Sequence, residues 1–337
     1  MQKIPARKKL LFFITLITTS FVAFAQSASS AEIEMEGSEG TTLTGKVMAT
    51  FDQPWAMTFL PDGHSLVTEK EGVIWLLDKN QQKRFSVENV PDVTAQGQGG
   101  LGDVIIHPEF ATNKTVYVSY IERDPQDDAF SGAVIERATL NITNNSASLS
   151  DREIIWRQSP KVTGNGHYSH RMVFSPDGYL FITSGERQKF TPAQNMAMNL
   201  GKILRLNDDG SVPDDNPFVG NGKVTGQIWT LGHRNPLGID FDAEGNLWAH
   251  EMGPRHGDEL NIIERGRNYG YPMVSQGDHY SGTKIPNHED FPIFKAPEKA
   301  WVPAISPAGF IIYKGSKFSD WTGNGFIGGL SSKALVR

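Results

Sequence analysis

The sequence predicts an all-β fold of repeated four-stranded antiparallel units set around an axis, a β-propeller. Three observations predict it. A hairpin signature returns along the chain, glycine and proline are frequent at 34 and 19 residues, and convincing helical periodicity is lacking beyond the N-terminal segment. In the clearest copies, Met57-Thr58-Phe59-Leu60-Pro61-Asp62-Gly63 precedes Leu66-Val67-Thr68, and Met172-Val173-Phe174-Ser175-Pro176-Asp177-Gly178 precedes Leu180-Phe181-Ile182. Ile239 to Gly245 likewise precedes Leu247-Trp248-Ala249. The apolar runs read as strands, and the Asp-Gly or Glu-Gly between them supplies the positive-φ position of a tight turn. Val104 to His107 and Phe310 to Tyr313 are weaker copies. Copies recur at intervals of roughly 45 to 115 residues, which suits four-stranded units. A β-sandwich is the alternative, but it leaves the returning signature without a cause.

The 337 residues suffice for one large β domain or two medium ones. A net charge of −6 offers no basic footprint for nucleic acid. The absence of cysteine excludes a disulfide framework, thiolate metal sites and a cysteine nucleophile. At the N-terminus, Lys3, Arg7, Lys8 and Lys9 precede an apolar run from Leu10 to Ala25, with Ala23-Phe24-Ala25 as a small-x-small cleavage pattern. Residues 1–25 therefore read as a signal peptide, 26–45 as a leader or linker and 46–337 as the propeller domain. The apolar run is short for a membrane span and carries Thr and Ser. A periplasmic or secreted protein is expected, with no stable span once the signal is removed.

Along the domain, Gly97-Gln98-Gly99-Gly100-Leu101-Gly102 matches the spacing of a dinucleotide-binding loop. That loop functions between a strand and a helix, whereas Asp103 to His107 reads as a strand, so a dinucleotide site is rejected. A glycine-rich loop bringing Gln98 to a ligand is the better reading. His167 stands at a strand entrance after Gly164-Asn165-Gly166, and its ordinary pKa suits a proton acceptor. Against this, a lone histidine often only caps a loop, and His167 with His170 forms a weak H-x-x-H metal pattern. Glu186 could orient an imidazole or form a surface ion pair with Arg187. Ala193 to Leu200 is at most a short helical excursion, and Gly201 to Leu206 is a strand leading into the polar turn Asn207-Asp208-Asp209-Gly210. Between Gln227 and Tyr271, Gly232-His233-Arg234-Asn235-Pro236 and Met252-Gly253-Pro254-Arg255 gather Arg, Asn, His and backbone carbonyls at chain turns. Such a concentration suits an anionic or metal-bound ligand, or a surface loop of a β protein.

From Pro54 onward the chain resembles the soluble quinoprotein glucose/sorbosone dehydrogenases, which include the periplasmic aldose sugar dehydrogenases. The resemblance rests on Pro54-Trp55-Ala56-Met57, Gln98 to Gly102 with His107-Pro108, and His167 with Arg171. It continues through Gly201 to Leu206 with Asp209 to Pro213, Leu231 to Pro236, Gly253-Pro254, and Asp258 to Tyr271. It implies six blades, and oxidation of an aldose at C1 to the lactone by pyrroloquinoline quinone (PQQ) with calcium as Lewis acid. Electrons would pass on to an external acceptor. By position it implies His167 as general base, with Gln98, Arg234 and Asn235 as cofactor contacts. Arg234 would also stabilise charge that grows during reduction. It implies Gly253 and Pro254 as carbonyl ligands of a catalytic calcium, and Glu259 and Tyr269 at a second, structural calcium.

The chain also departs from that family. Glu186 replaces the usual Asp beside the base, which lengthens the orienting arm by one methylene. Ser169-His170 replaces small residues, and an imidazole there would narrow the sugar pocket. The chain ends at Arg337, one strand into the expected last blade. The blade is then either incomplete or closed by Glu32 to Gly45. Two other functions compete: a calcium-dependent lactonase or esterase, and a propeller that only binds.

Overall fold

A strand that is buried on both faces must be covered on both sides, and the strands Ser65–Glu69, Leu180–Ser184 and Lys202–Leu206 are buried throughout. The computed structural model describes residues 32–337, so the expected signal peptide lies outside the described residues. The described residues up to Met48 form their own unit, in which Glu32–Glu36 and Thr42–Lys46 pair as an antiparallel hairpin. Part of the stretch read as a leader is thus regular structure, and it pairs with itself.

From Ala49 the strands form successive antiparallel meanders. The first holds Pro54–Phe59, Ser65–Glu69, Val73–Leu77 and Lys83–Glu88, and the second Leu101–Ile106, Thr115–Arg123, Phe130–Ile142 and Ala147–Arg157. Ser169–Phe174, Leu180–Ser184, Lys202–Leu206 and Ile228–Leu231 make the third, and Pro236–Phe241, Leu247–Glu251, Asp258–Ile262 and Lys299–Trp301 the fourth. The fifth has three described strands, Pro307–Ile312, Gly325–Gly329 and Ala334–Val336. The last strands of the first two meanders also join by a short parallel pairing, Val87 with Ala147 and Glu88 with Ser148. The three clear turn signals fall where expected, between first and second strands, with Gly63, Gly178 and Gly245 at φ of 93°, 89° and 83°. The two weaker copies begin the second and fifth meanders. Ala193 to Leu200 contributes only a 3-10 turn, Thr191–Gln194.

The core lies between sheets rather than inside one. Leu66, Ile74 and Leu76 of the first sheet pack with Val116, Val118 and Val134 of the second. Tyr117, Ile121 and Ile135, on the opposite face of that second sheet, pack with Met172, Leu180, Ile182 and Leu204 of the third. Phe181 and Ile203 of the third then meet Ile239, Phe241 and Leu247 of the fourth. Adjacent residues such as Val116 and Tyr117 therefore enter different core layers, as the two-residue period of a strand requires. A sandwich would leave one face of each sheet wet. Face-to-face stacking of successive four-stranded sheets is instead consistent with a propeller. The first strands of neighbouring sheets approach one another in order from the first sheet to the fifth.

Candidate active site at one end of the sheets

In an antiparallel meander the chain enters the first strand and leaves the second at the same end. The Asp-Gly and Glu-Gly turns occupy the other end. This places Gln98, His167 and Arg234-Asn235, each just before a first strand, beside Glu186 and Gly253-Pro254, each just after a second strand. Segments far apart in sequence therefore converge.

At their centre His167 Nδ1 lies 2.5 Å from Glu186 Oε1. Glu186 is fully buried and His167 nearly so. The other Glu186 oxygen accepts the backbone N–H groups of Lys189 and Phe190, at 2.5 and 2.6 Å. Burial pushes the Glu186 carboxyl up, but His167 and then the Phe190 N–H outweigh it and hold the group below its ordinary pKa. An ionised carboxylate only accepts, so Nδ1 carries the proton and Nε2 keeps its lone pair. Burial, with help from the Arg234 charge, lowers the His167 pKa, and the imidazole is neutral at neutral pH. The extra methylene of Glu186 does not break the orienting bond. Arg187 is not its surface partner. It is buried, donates to the carbonyls of Gly166 and Ser131 at 3.0 and 2.7 Å, and stacks on Tyr168 at 3.7 Å.

The backbone around His167 is strained. His167, Ser169 and His170 have φ of 49°, 60° and 57°, and Arg187, Gln188 and Phe190 lie between 58° and 64°. Non-glycine residues keep such values only where their surroundings over-determine them. Part of that determination is visible: Gln98 Oε1 accepts the His167 N–H at 2.6 Å, and Asn235 Oδ1 accepts from Ser169 Oγ at 3.0 Å. The glycine-rich loop serves the same packing, since a Cβ on Gly97 would stand 2.4 Å from the Asn165 carbonyl oxygen. It leads into the strand Leu101–Ile106, so the rejection of a dinucleotide site holds.

His170 turns away from His167 and does not narrow the pocket. Its ring stacks on Trp55 at 4.9 Å and its Nδ1 lies 2.7 Å from Ser119 Oγ, fully buried between first strands. The room for it comes from Gly102, where a Cβ would stand 2.0 Å from the imidazole. The two histidines form no metal pair: His167 turns to Glu186, while His170 turns to Trp55 and Ser119.

His167, Glu186 and Arg234 line one cavity of about 270 Å³, with Gln188, Phe190, Pro254, Tyr271 and the loop residues His279, Tyr280 and Ser281. Arg234 is buried, and its Nη1 donates to the Met252 carbonyl at 2.9 Å. Its Nε, shielded from solvent, has no hydrogen-bond partner among the described residues, and a buried donor left unsatisfied is costly. A second cavity of about 10 Å³, the size for one water or ion, adjoins Arg234. Gly253, Pro254, Glu259 and Tyr269 all line it, together with Glu251. The resemblance assigns these residues to two calcium sites, and the structure brings them to one cavity. Glu251 and Glu259 are cross-strand partners, both buried. Burial and then the Glu251 charge push the Glu259 carboxyl up to about 8. The Tyr269 hydroxyl is engaged elsewhere, donating to the Ile262 carbonyl at 2.5 Å, and its carbonyl lies 3.0 Å from His288 Nε2. Among the described residues no group of three or more His, Asp or Glu side chains converges as a metal cluster. A cation here would need backbone oxygens.

Sequence reasoning missed Glu251, which also holds His233 Nδ1 at 2.9 Å and the Arg234 N–H at 2.5 Å. Its position opposite Glu259 follows from register, which pairing alone reveals. It also missed the wall of Phe190, Tyr271, His279 and Tyr280, which has no spacing to mark it.

An anion-ready arginine beside an oriented, neutral histidine suits removal of a proton from a polar substrate next to a charged cofactor. The chain belongs to the glucose/sorbosone dehydrogenase family: its residues 51–337 match the Glucose / Sorbosone dehydrogenase profile. On that ground it is an oxidoreductase of the sugar dehydrogenase class. It is 38% identical to aldose sugar dehydrogenase YliI of Escherichia coli K12 over 291 residues, covering 85% of this chain and 77% of that protein. It is 30% identical to quinoprotein glucose dehydrogenase B of Acinetobacter calcoaceticus, covering 86% and 64%. The fold is similar to the apo crystal structure of the soluble E. coli aldose sugar dehydrogenase, with a TM-score of 0.79, 38% identity and coverage of 84% and 82%. It is also similar to a PQQ-bound aldose sugar dehydrogenase from Streptomyces coelicolor, at 0.69, 28% identity and coverage of 85% and 77%.

Proposed function

We propose that this protein oxidises aldose sugars at C1 to the lactone, with PQQ as hydride acceptor and calcium as Lewis acid. The observation that carries this reading is the buried Arg234 guanidinium in the wall of the same cavity as the His167–Glu186 pair. A guanidinium with a free donor fits a cofactor carrying carboxylates and quinone oxygens. The small cavity beside it fits a hard cation. It offers oxygen donors from two buried carboxyl groups and the Gly253-Pro254 backbone, and a divalent ion there would let Glu259 ionise beside Glu251.

His167 Nε2 takes the C1 hydroxyl proton, while Glu186 holds the ring and stabilises the imidazolium as it forms. Arg234 binds the anionic cofactor and offers positive charge where negative charge grows. Gln98 and Asn235 contact the cofactor while their carbonyl groups hold segment 167–169. Bound PQQ would supply a two-electron acceptor for the C1 hydride, and calcium, which the Gly253 and Pro254 carbonyls would hold, would supply Lewis-acid polarisation. An external electron acceptor would be the partner that receives the electrons. Six blades, a secretory signal over residues 1–25 and a periplasmic or secreted location belong to the same reading.

Reconstitution tests it. Dye reduction by glucose should require both added PQQ and added calcium. Lactone hydrolysis without PQQ would replace this reading with a hydrolase, and neither activity would leave a binding protein.

A further inference from the structure

Phe190, in the wall of the larger cavity, has a conformation that folding alone does not explain. Its φ and ψ are 64° and −80°, and the Thr191 N–H donates to the Lys189 carbonyl at 2.9 Å. This is the γ-turn form that is rare and strained, here with a bulky aromatic at its centre. Neighbours enforce it on both sides. Glu186 accepts the N–H groups of Lys189 and Phe190, as described above. The buried ammonium of Lys202 donates to the carbonyls of Pro192 and Ala193 at 2.8 and 3.1 Å, which locks the turn that follows. The ring held this way is 45% exposed. It meets Tyr271 with centroids 6.4 Å apart and His279 at 5.8 Å. An apolar ring kept on a strained backbone, half in water, gains little from burial. Its placement serves the cavity.

We infer that Phe190 is a specificity-determining residue: its ring is the apolar platform on which the C–H face of the sugar rests while His167 takes the hydroxyl proton. Glu186 sets both at once, one oxygen orienting the base and the other fixing the platform. This rests on the sugar-oxidising reading proposed above.

The test compares substitutions at 190 in the PQQ- and calcium-loaded protein with glucose. Phe190→Ala should raise KM about tenfold, a loss of about 1.4 kcal/mol, while kcat changes less than about threefold. Phe190→Tyr should restore KM to within about twofold, and Phe190→Leu should not, since the platform needs a flat aromatic face. A KM for Phe190→Ala within twofold of the parent, or rescue by Leu equal to that by Tyr, would overturn the inference. Glu186→Asp should raise KM and lower kcat together, and should speed hydrogen exchange at the Lys189 and Phe190 amides about tenfold or more. Unchanged exchange there would refute the shared control. A readout without turnover is glucose titration of Phe190→Trp emission, taken as the difference from the parent. A saturable response supports the platform, and its absence overturns it. Failure of dye reduction with that response present would sink the oxidation reading alone.

Discussion

His167 shows how a common residue becomes specialised through its surroundings. Burial and the Arg234 charge keep the ring neutral, while the ionised Glu186 fixes its tautomer. Removing the ring in His167→Ala should lower kcat by about two to four orders of magnitude with PQQ still bound, the usual worth of a general base. Stopped-flow reduction of the loaded protein would check it, and near-normal turnover would exclude His167 from the chemistry. Because its pKa lies below the ordinary 6.5, the midpoint of the acid limb of kcat/KM should lie below that of an ordinary histidine. The fall comes at that more acidic pH, where the base becomes protonated. An acid limb with its midpoint above the ordinary 6.5 would contradict the environment described. Arg234 carries a different load. Arg234→Ala should weaken PQQ binding by tenfold or more, and Arg234→Lys should recover only part, because an ammonium lacks the planar fork. Titration of PQQ into each variant decides the point.

At the scale of elements, the approach of neighbouring first strands sets what each can carry. A Cβ on Gly238 would lie 2.2 Å from His250 Nε2 and 2.4 Å from Phe310 Cβ, a contact between the fourth and fifth sheets. Gly102 stands in the same relation to His170. Neither glycine has a positive φ, so the demand is for space rather than conformation. Gly238→Ala should therefore destabilise the protein by about 1–3 kcal/mol, the usual cost of overpacking. Urea denaturation should show a lower midpoint with an unchanged slope. A midpoint equal to that of the parent would mean that the strands are free to move apart. Hairpin turns were readable in the sequence because Asp-Gly and Glu-Gly act locally. These glycines were not, since the side chain each must clear lies on another strand.

Over the whole molecule, several histidines are buried between sheets rather than exposed. Burial holds His250 down to about 4 and His170 to about 3. In the unfolded chain both titrate near 6.5, so below that pH the unfolded state binds protons that the folded state refuses. Stability from these groups is complete above pH 6.5 and is lost as pH falls toward 4 and 3. The melting temperature at pH 4.5 should lie at least about 5 °C below that at pH 7. His170→Asn, which cannot titrate, should reduce that gap even if it lowers stability at both pH values. An equal melting temperature at the two pH values would show that water reaches these rings.

What the sequence determined by itself was whatever one segment encodes: antiparallel hairpins, the identity of the first and second strands, and the loops that carry His167, Glu186, Arg234 and Gly253-Pro254. Knowing the meander, one could also place those loops at one end, since strand direction alternates. Tertiary structure decided the rest, because it depends on what faces what. His170 became a packing residue when Gly102 of another sheet made room for it. Arg187 became a buried brace, and Glu251 joined Glu259 through strand register. Phe190 reached the cavity only because Glu186 and Lys202 hold a backbone that its own preferences resist. Those outcomes depend on contacts between residues distant in the chain, and no local pattern records them.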